Sequence, residues 1–316
     1  MQVKDLFAAL PVKILGDDVA ICSLSADSRD VGKGTLFAAL RGKEQDGHEF
    51  IQAACEGGAS AILCEEEQQG IAQTQILSAN ARITLAEVAK RFYGSPDEKL
   101  AAIGVTGTNG KTTSTRLIGH VLSYAKRNVG VIGTLGCTWG TKTEKPGLTT
   151  PDALFLSRIL YDMVEDKVEN VVLEVSSHAL EQHRVAGLSF DVAVFTNLSH
   201  DHLDYHADMD AYFKAKSKLF VERLKPNGHS LINIDDAWGK KLRTKNTLTY
   251  ALENQNADFY LKSMKMHRDG MSLSLATSKG QIQIETSLIG RFNLYNIIVA
   301  AAVAQIMDVS NDDIAA

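Results

Sequence analysis

The chain has 316 residues, 45% of them hydrophobic, enough for about two domains that each bury a core. Its formal net charge of −5 leaves no basic excess to neutralise nucleic-acid phosphates or an anionic membrane surface. No apolar run reaches the roughly 18 residues needed to span a bilayer, and the acidic start MQVKDLFAALPVKILGDD has no small-residue cleavage site. The four cysteines (Cys22, Cys55, Cys64, Cys137) form no CxxC pair and read as reduced, mostly buried thiols of a cytoplasmic protein.

Up to about residue 97, short apolar runs alternate with turns. TLFAAL (35–40) and SAILCE (60–65) predict strands, and FIQAACEGG (50–58) predicts a helix closed by glycine. Gly94-Ser95-Pro96-Asp97 breaks the pattern and marks a domain boundary, giving domains 1–97 and 98–316. Beyond it, strand-like runs at 100–105, 128–133, 170–175, 190–195 and 229–234 are mostly separated by helical stretches around 112–126, 151–167 and 208–224. That rhythm predicts an α/β fold: a small N-terminal α/β domain, then a central domain with a mostly parallel sheet covered on both faces. From 258 to 287 the period shortens to two, with Met271, Leu273 and Leu275 alternating with polar residues and Asp269-Gly270 and Lys279-Gly280 as turns. Antiparallel hairpins are expected there. An Ala-rich helix follows Gly290-Arg291-Phe292-Asn293, and the chain then stops at Ala316, an ending expected of a truncation or a domain junction.

The sharpest signal is Gly107-Thr108-Asn109-Gly110-Lys111-Thr112-Thr113, which follows an apolar strand and opens a helix. A phosphate-binding loop needs that context: glycines let backbone amides close on phosphate oxygens, and the helix N-terminus adds partial positive charge. Lys111 is then placed to reach β/γ-phosphates and the Thr112 hydroxyl to hold Mg²⁺. Val105 stands where the usual pattern has its first glycine, so the loop is a short GxxGKT variant. The bland alternative is a glycine-rich turn with an incidental lysine.

Glu174 ends the NVVLEV run, and ligands collect at the carboxyl ends of strands in open α/β sheets, so it is expected to face the cation on Thr112. A solvent-facing glutamate is the alternative. The segment 200–206 holds His200, His202, His206, Asp201 and Asp204, which suggests metal, although imidazole suits zinc or manganese better than magnesium. Hydrogen bonding within a loop is an equal reading for His200 and His206, and a functional role is assigned only to His202. On the predicted helix 208–224, Lys216 shares a face with Tyr212, Phe213, Leu219 and Phe220. Periodicity alone favours snorkelling, with a buried stem and an ammonium in water. A lysine desolvated beside a metal site would instead lose its proton and take up CO₂ as a carbamate.

Together with Leu148-Thr149-Thr150-Pro151, Glu174-Val175-Ser176-Ser177-His178-Ala179-Leu180, Gln182-His183-Arg184 and Asp201-His202-Leu203-Asp204-Tyr205-His206, the loop occurs in the order found in Mur ligases. The chain resembles that family, and within it the MurE type, UDP-N-acetylmuramoyl-tripeptide synthetases. The likeness extends to Asp27-Ser28-Arg29, Leu36-Phe37-Ala38-Ala39-Leu40 and Asp46-Gly47-His48 in the first domain.

The resemblance implies a UDP-sugar domain, a central ATP-binding domain and a C-terminal amino-acid domain, the last expected to be missing here. It implies a cytoplasmic ligase in which ATP phosphorylates the D-Glu γ-carboxylate of UDP-MurNAc-L-Ala-D-Glu and a diamino acid, diaminopimelate or lysine, attacks the acyl phosphate. Gly107–Thr113, Asn293 and Asn296 would then contact ATP. Thr112 and Glu174 would hold one Mg²⁺ and His202 a second. Lys216 falls on the carbamylated lysine of the family, and Lys111, Glu174, His202 and Lys216 make up the catalytic set. Thr149, Thr150, Ser176, Gln182 and Arg184 would contact the muramoyl-dipeptide, and Ser28 the uridine end. Leu148 stands where some members carry an asparagine.

The expected reaction needs two anions to meet, with metal ions and Lys111 offsetting their repulsion. Two other readings are a nucleotide- or UDP-sugar-binding module without catalysis, which is what a missing third domain would leave, and a zinc hydrolase built on the histidine cluster. Folylpolyglutamate and cyanophycin synthetases share the loop and are expected to lack the Thr-Thr-Pro and Glu-Val-Ser-Ser-His combination. The diamino acid and the oligomeric state are not legible in this sequence.

Overall fold

Two cores organise the N-terminal sheet, and simple alternation explains both. The computed structural model describes residues 1–42 and 45–316, which divide into two units. The first comprises Met1–Pro96 with Asp152–Tyr161 and Gln182–Gly187. Among the described residues its strands are β1 (Val12–Leu15), β2 (Ser23–Ser25), β3 (Thr35–Ala38), β4 (Ala61–Cys64) and β5 (Thr74–Ser78), in the order β1-β5-β4-β3-β2. β2 to β5 run parallel, and β1 pairs antiparallel with β5. Successive side chains of a strand point to opposite faces. Leu36, Ala38, Ala61 and Leu63 therefore join one core with Leu85 and Val88 of helix α3 (Ala81–Phe92). Phe37, Ile62 and Cys64 join the other with Ile51 and Ala54 of α2 (Ile51–Glu56). α1 (Val3–Leu6) adds its two buried residues to the first core.

The second unit (Asp97–Pro151, Asp162–Glu181 and Leu188–Ala316) is built on β6 (Ala101–Thr106), β7 (Val129–Gly133), β8 (Gly136–Trp139), β9 (Lys142–Glu144), β10 (Asn170–Glu174) and β11 (Phe190–Phe195). β12 (Leu224–Asn233), β13 (Thr247–Ala251), β14 (Phe259–His267), β15 (Gly270–Thr277) and β16 (Gly280–Thr286) complete it. The sheet runs β16-β15-β14-β13-β12-β11-β6-β10-β7-β8-β9. From β7 across to β14 neighbours are parallel, and the two edges, β7-β8-β9 and β14-β15-β16, are antiparallel.

Helix α4 (Lys111–Tyr124) follows β6 and packs Ile118 and Leu122 into a core with Ile103, Val105, Val172 and Val194. α8 (Arg291–Ile306) joins the same core through Ile298–Ala304. Its run of alanines removes the side-chain bulk that would hold neighbouring helices apart. The remaining helices are α5 (Ala153–Glu165), α6 (Ser177–Glu181), α7 (Met209–Val221) and α9 (Asn311–Ala315). The chain leaves β6 toward β7 on one side but returns from β10 to β11 on the other, so the strand order reverses beside β6. Ligand crevices form at such a reversal, outside the carboxyl ends of the strands.

The expected fold class holds, including the hairpins: Met271, Leu273, Leu275 and Ile282 are all buried as alternation requires. Several details differ. The predicted helix at 50–58 begins with a 3₁₀ turn at Gly47–Phe50, because Asp46 accepts from His48 N (3.0 Å) and caps that turn instead. The predicted strand at 229–234 starts five residues earlier, at Leu224. Only Cys64 and Cys137 are buried, with Cys55 half-buried and Cys22 exposed. Among the described residues no helix is long and apolar enough to cross a membrane.

Candidate functional site

The turn from β6 into α4 is held by the end of β11. Thr108 N donates to Asn197 O (2.8 Å) and Asn109 N to Asn197 Oδ1 (3.0 Å). In return Thr196 Oγ1 and Asn197 Nδ2 donate to Asn109 O at 2.7 and 3.1 Å. Glycine is required twice. Gly107 (φ 149°) passes so close to β11 that a Cβ would fall on Thr196 Oγ1, and Gly110 (φ 86°) would place one 2.8 Å from Asn296 Oδ1. The amides of Thr108 and Asn109 donate to Asn197, whereas the N–H groups of Gly110–Thr113 at the mouth of α4 have no intrahelical partner. Lys111 Nζ curls back to donate to Gly107 O (2.9 Å) and Thr108 O (2.8 Å), and burial lowers its pKa against the pull of Glu174 and Asp201. Thr113 is half-buried in the first turn of α4.

Glu174 is buried and faces the loop, not solvent. Thr112 Oγ1 donates to its Oε2 at 2.8 Å, Thr134 N to its Oε1 at 2.9 Å and Thr134 Oγ1 to its Oε2 at 3.2 Å. The carboxylate fits because residue 133 is glycine: a Cβ there would fall on Glu174 Oε1. A buried carboxylate beside a threonine hydroxyl is an all-oxygen donor set, which suits a hard cation that keeps most of its coordination for water and phosphate. Magnesium fits these two residues.

Lys216 is 1% exposed, which overturns the snorkelling expected from periodicity. Its Nζ donates to Gly107 O (2.8 Å) and lies 4.5 Å from the centre of the Tyr212 ring. An acceptor inside the fold, the carbonyl of Gly107, replaces water. Burial pushes its ammonium well below the usual lysine range, and the nearby Lys111 charge pushes it further.

The histidine cluster divides. His206 is buried, its Nε2 3.0 Å from Ser177 Oγ and its ring stacked 5.0 Å from Tyr212. His200 is exposed. His202 is exposed at φ 53°, with Nε2 3.6 Å from Asp201 Oδ2. Among the described residues no group of three His, Cys, Asp or Glu side chains is arranged to hold a metal, so the zinc-site reading of 200–206 is not supported by the geometry. His202 alone offers a single nitrogen donor, better matched to manganese than to magnesium.

Of the residues assigned to the muramoyl-dipeptide, Thr149 lies beside the carboxylate cluster, its Oγ1 3.1 Å from Thr134 Oγ1. Thr150 is fully buried, donating to Glu174 O (2.8 Å) and accepting from Ser176 N (3.0 Å). The hydroxyl expected to meet substrate thus braces the Glu174–Ser176 turn. Ser176 Oγ accepts from Ala179 N (3.1 Å) at the start of α6. In the first unit, Arg184 donates through Nε (3.1 Å) and NH2 (2.7 Å) to Gln182 Oε1, and Ser28 opens a 3₁₀ turn capped by Asp27, which accepts from Arg29 N (2.9 Å).

Asn296, assigned to ATP, is buried against the loop, where its Oδ1 accepts from Ser114 Oγ (3.0 Å). Its Nδ2 donates to Asn293 Oδ1 (3.2 Å), and Asn293 Nδ2 donates to Ile289 O (2.9 Å). The pair therefore connects the start of α8 to the first turn of α4. Gly133, Thr134, Thr196 and Asn197 escaped the sequence reading. The available signal was small residues at the carboxyl ends of the strand-like runs 128–133 and 190–195.

Two family models match the chain, the Mur ligase family catalytic domain over residues 20–104 and the Mur ligase middle domain over 105–304. A "UDP-N-acetylmuramoyl-L-alanyl-D-glutamate--2,6-diaminopimelate ligase" of Geobacter metallireducens is 40% identical, the match covering 99% of this chain and 63% of that protein. The enzyme of that name from Bacillus velezensis is 41% identical over 93% of this chain and 61% of its own. The chain thus spans about 61–63% of the length of these relatives. A solved ligase of the same name superposes with a TM-score of 0.88 at 32% identity, covering 100% of this chain and 65% of that one. A MurF ligase from Thermotoga maritima in complex with ADP shares the fold at 24% identity, with a TM-score of 0.65 over 93% of this chain and 65% of its own. With 105–304 alone making up more than half of the 316 residues, the chain belongs to the Mur ligase family.

Proposed function

We propose that this protein is an ATP-dependent amide-bond ligase of peptidoglycan precursor synthesis, acting in the cytoplasm. It adds a diamino acid, meso-diaminopimelate or L-lysine, to the D-Glu γ-carboxylate of UDP-MurNAc-L-Ala-D-Glu. In this reading residues 1–97 form the UDP-sugar domain and 98–316 the ATP domain. The observation that carries it is the buried Glu174 carboxylate 2.8 Å from the Thr112 hydroxyl at the mouth of the loop.

The amides of Gly110–Thr113 bind the triphosphate, and the Lys111 ammonium exchanges its two loop carbonyls for phosphate oxygens. Thr112 and Glu174 would hold Mg²⁺, and His202 with a carbamylated Lys216 would assist a second divalent cation; bound there, such cations offset the charge on the transferred phosphoryl group. Thr149 and Ser176 contact the muramoyl-dipeptide; Gln182 and Arg184 of the first unit are assigned to it as well, the Arg184 fork being suited to bidentate contact with a carboxylate. Ser28 meets the uridine end, and Asn293 and Asn296 support the adenine.

The γ-carboxylate oxygen attacks the terminal phosphorus, ADP leaves, and the resulting acyl phosphate is open to an amine. Hydroxylamine tests this half of the reaction. A hydroxamate of the UDP-sugar dipeptide is expected only with ATP and Mg²⁺ present, and not from Lys111→Ala. Nucleotide binding with no hydroxamate would contradict the ligase reading and favour a binding module.

A further inference from the structure

The family resemblance leaves His178 without a role, and the ring geometry supplies one. His202 sits at φ 53°, a region few side chains other than glycine adopt. Its backbone is fixed all the same: His202 O accepts from Tyr205 N (3.1 Å) and His206 N (2.9 Å), and His202 N donates to Asp201 Oδ1 (2.9 Å). The imidazole has no comparable anchor. The side chain is 44% exposed, and the 3.6 Å from Nε2 to Asp201 Oδ2 is too long for a hydrogen bond. Side chains that exposed ordinarily exchange rotamers within nanoseconds.

What stands against the ring is His178, edge-on at 5.0 Å between centroids and 89° between planes, with Tyr212 behind it at 6.0 Å and 83°. His178 is well placed to act as a wall. It lies in α6, four residues after Glu174, and its own ring rests on Tyr205 at 4.0 Å. Edge-to-face contact is the favoured geometry of aromatic pairs, since the positive rim of one ring meets the negative face of the other.

We propose that His178 is a positioning residue that holds the His202 imidazole in one orientation and thereby sets cation affinity at His202. The proposal rests on the assignment of His202 to a divalent cation made above. Groups that orient a ligand commonly change metal affinity about 10–100-fold.

The test compares wild type with His178→Ala, His178→Phe and His202→Ala. One readout is the ring proton resonance of His202 in histidine-labelled protein without metal. The other is Mn²⁺ binding in the presence of ADP, followed by the electron paramagnetic resonance of free Mn²⁺. The expected result is that His178→Ala shifts and averages the His202 resonance and weakens the His202-dependent Mn²⁺ about tenfold or more, leaving any Mn²⁺ at Thr112 and Glu174 in place. His178→Phe, which keeps a flat ring, should restore both. An unmoved resonance in His178→Ala, or a moved resonance with unchanged Mn²⁺ affinity, overturns the proposal. Mn²⁺ binding that is the same in His202→Ala as in wild type removes His202 from the cation site, and the proposal falls with that assignment.

Discussion

Lys216 and Lys111 converge on one acceptor: their ammonium nitrogens donate to Gly107 O at 2.8 and 2.9 Å. Burial disfavours the charged form of both, and at Lys216 the nearby Lys111 charge adds to the effect. The neutral form of Lys216 is the one that attacks CO₂, forming an N–C bond and releasing a proton. ¹³C-bicarbonate should therefore give a carbamate resonance that disappears in Lys216→Arg, whose guanidinium stays protonated. The same resonance in Lys216→Arg would place the modification elsewhere.

His206 predicts a pH effect on stability. Burial lowers its pKa from the ordinary 6.5, outweighing the opposing pull of the Glu181 and Asp204 carboxylates. Between the lowered value and 6.5 the unfolded chain binds more protons than the folded one, so stability rises with pH through that window. The penalty is fully present below the folded value. His206→Gln, which can still bond Ser177 but does not titrate, should flatten this rise in urea unfolding measured from about pH 5 to 7.5.

Gly133→Ala tests whether a missing side chain shapes the site. The new methyl would fall on Glu174 Oε1, so the carboxylate must leave either Thr112 or Thr134. Overpacking of this kind costs about 1–3 kcal/mol. Calorimetric unfolding should show that loss, and Mn²⁺ affinity at Thr112 and Glu174 should fall by at least about tenfold.

Ala302 is fully buried on α8, in the core that also holds Ile118 and Leu122 of α4. Ala302→Leu should destabilise the protein by about 1–3 kcal/mol, read from the urea midpoint, because the alanine surface leaves no space for a larger residue.

How much was legible follows from what is local in the chain. The strand–loop–helix around Lys111 was readable because every part of it is contiguous. The face of α7 carrying Lys216 followed from periodicity, but its fate did not, since Gly107 O arrives from a distant strand end. Gly133, Thr134, Thr196 and Asn197 were missed for the same reason: that β11 lies beside β6, and β7 beside the β10 strand that carries Glu174, is a property of sheet order. β13 (TLTYA) and the short strands β1, β2 and β5 also escaped, being too brief or too weakly alternating to give a period.

The central claim is that the mouth of α4 seats a nucleotide triphosphate, and calorimetric titration with ATP at millimolar Mg²⁺ tests it directly. The account predicts one site per chain, weakened about tenfold or more by Lys111→Ala as a charge-assisted phosphate contact is lost. Absence of ATP binding by the wild-type chain, or equal binding by Lys111→Ala, would contradict it.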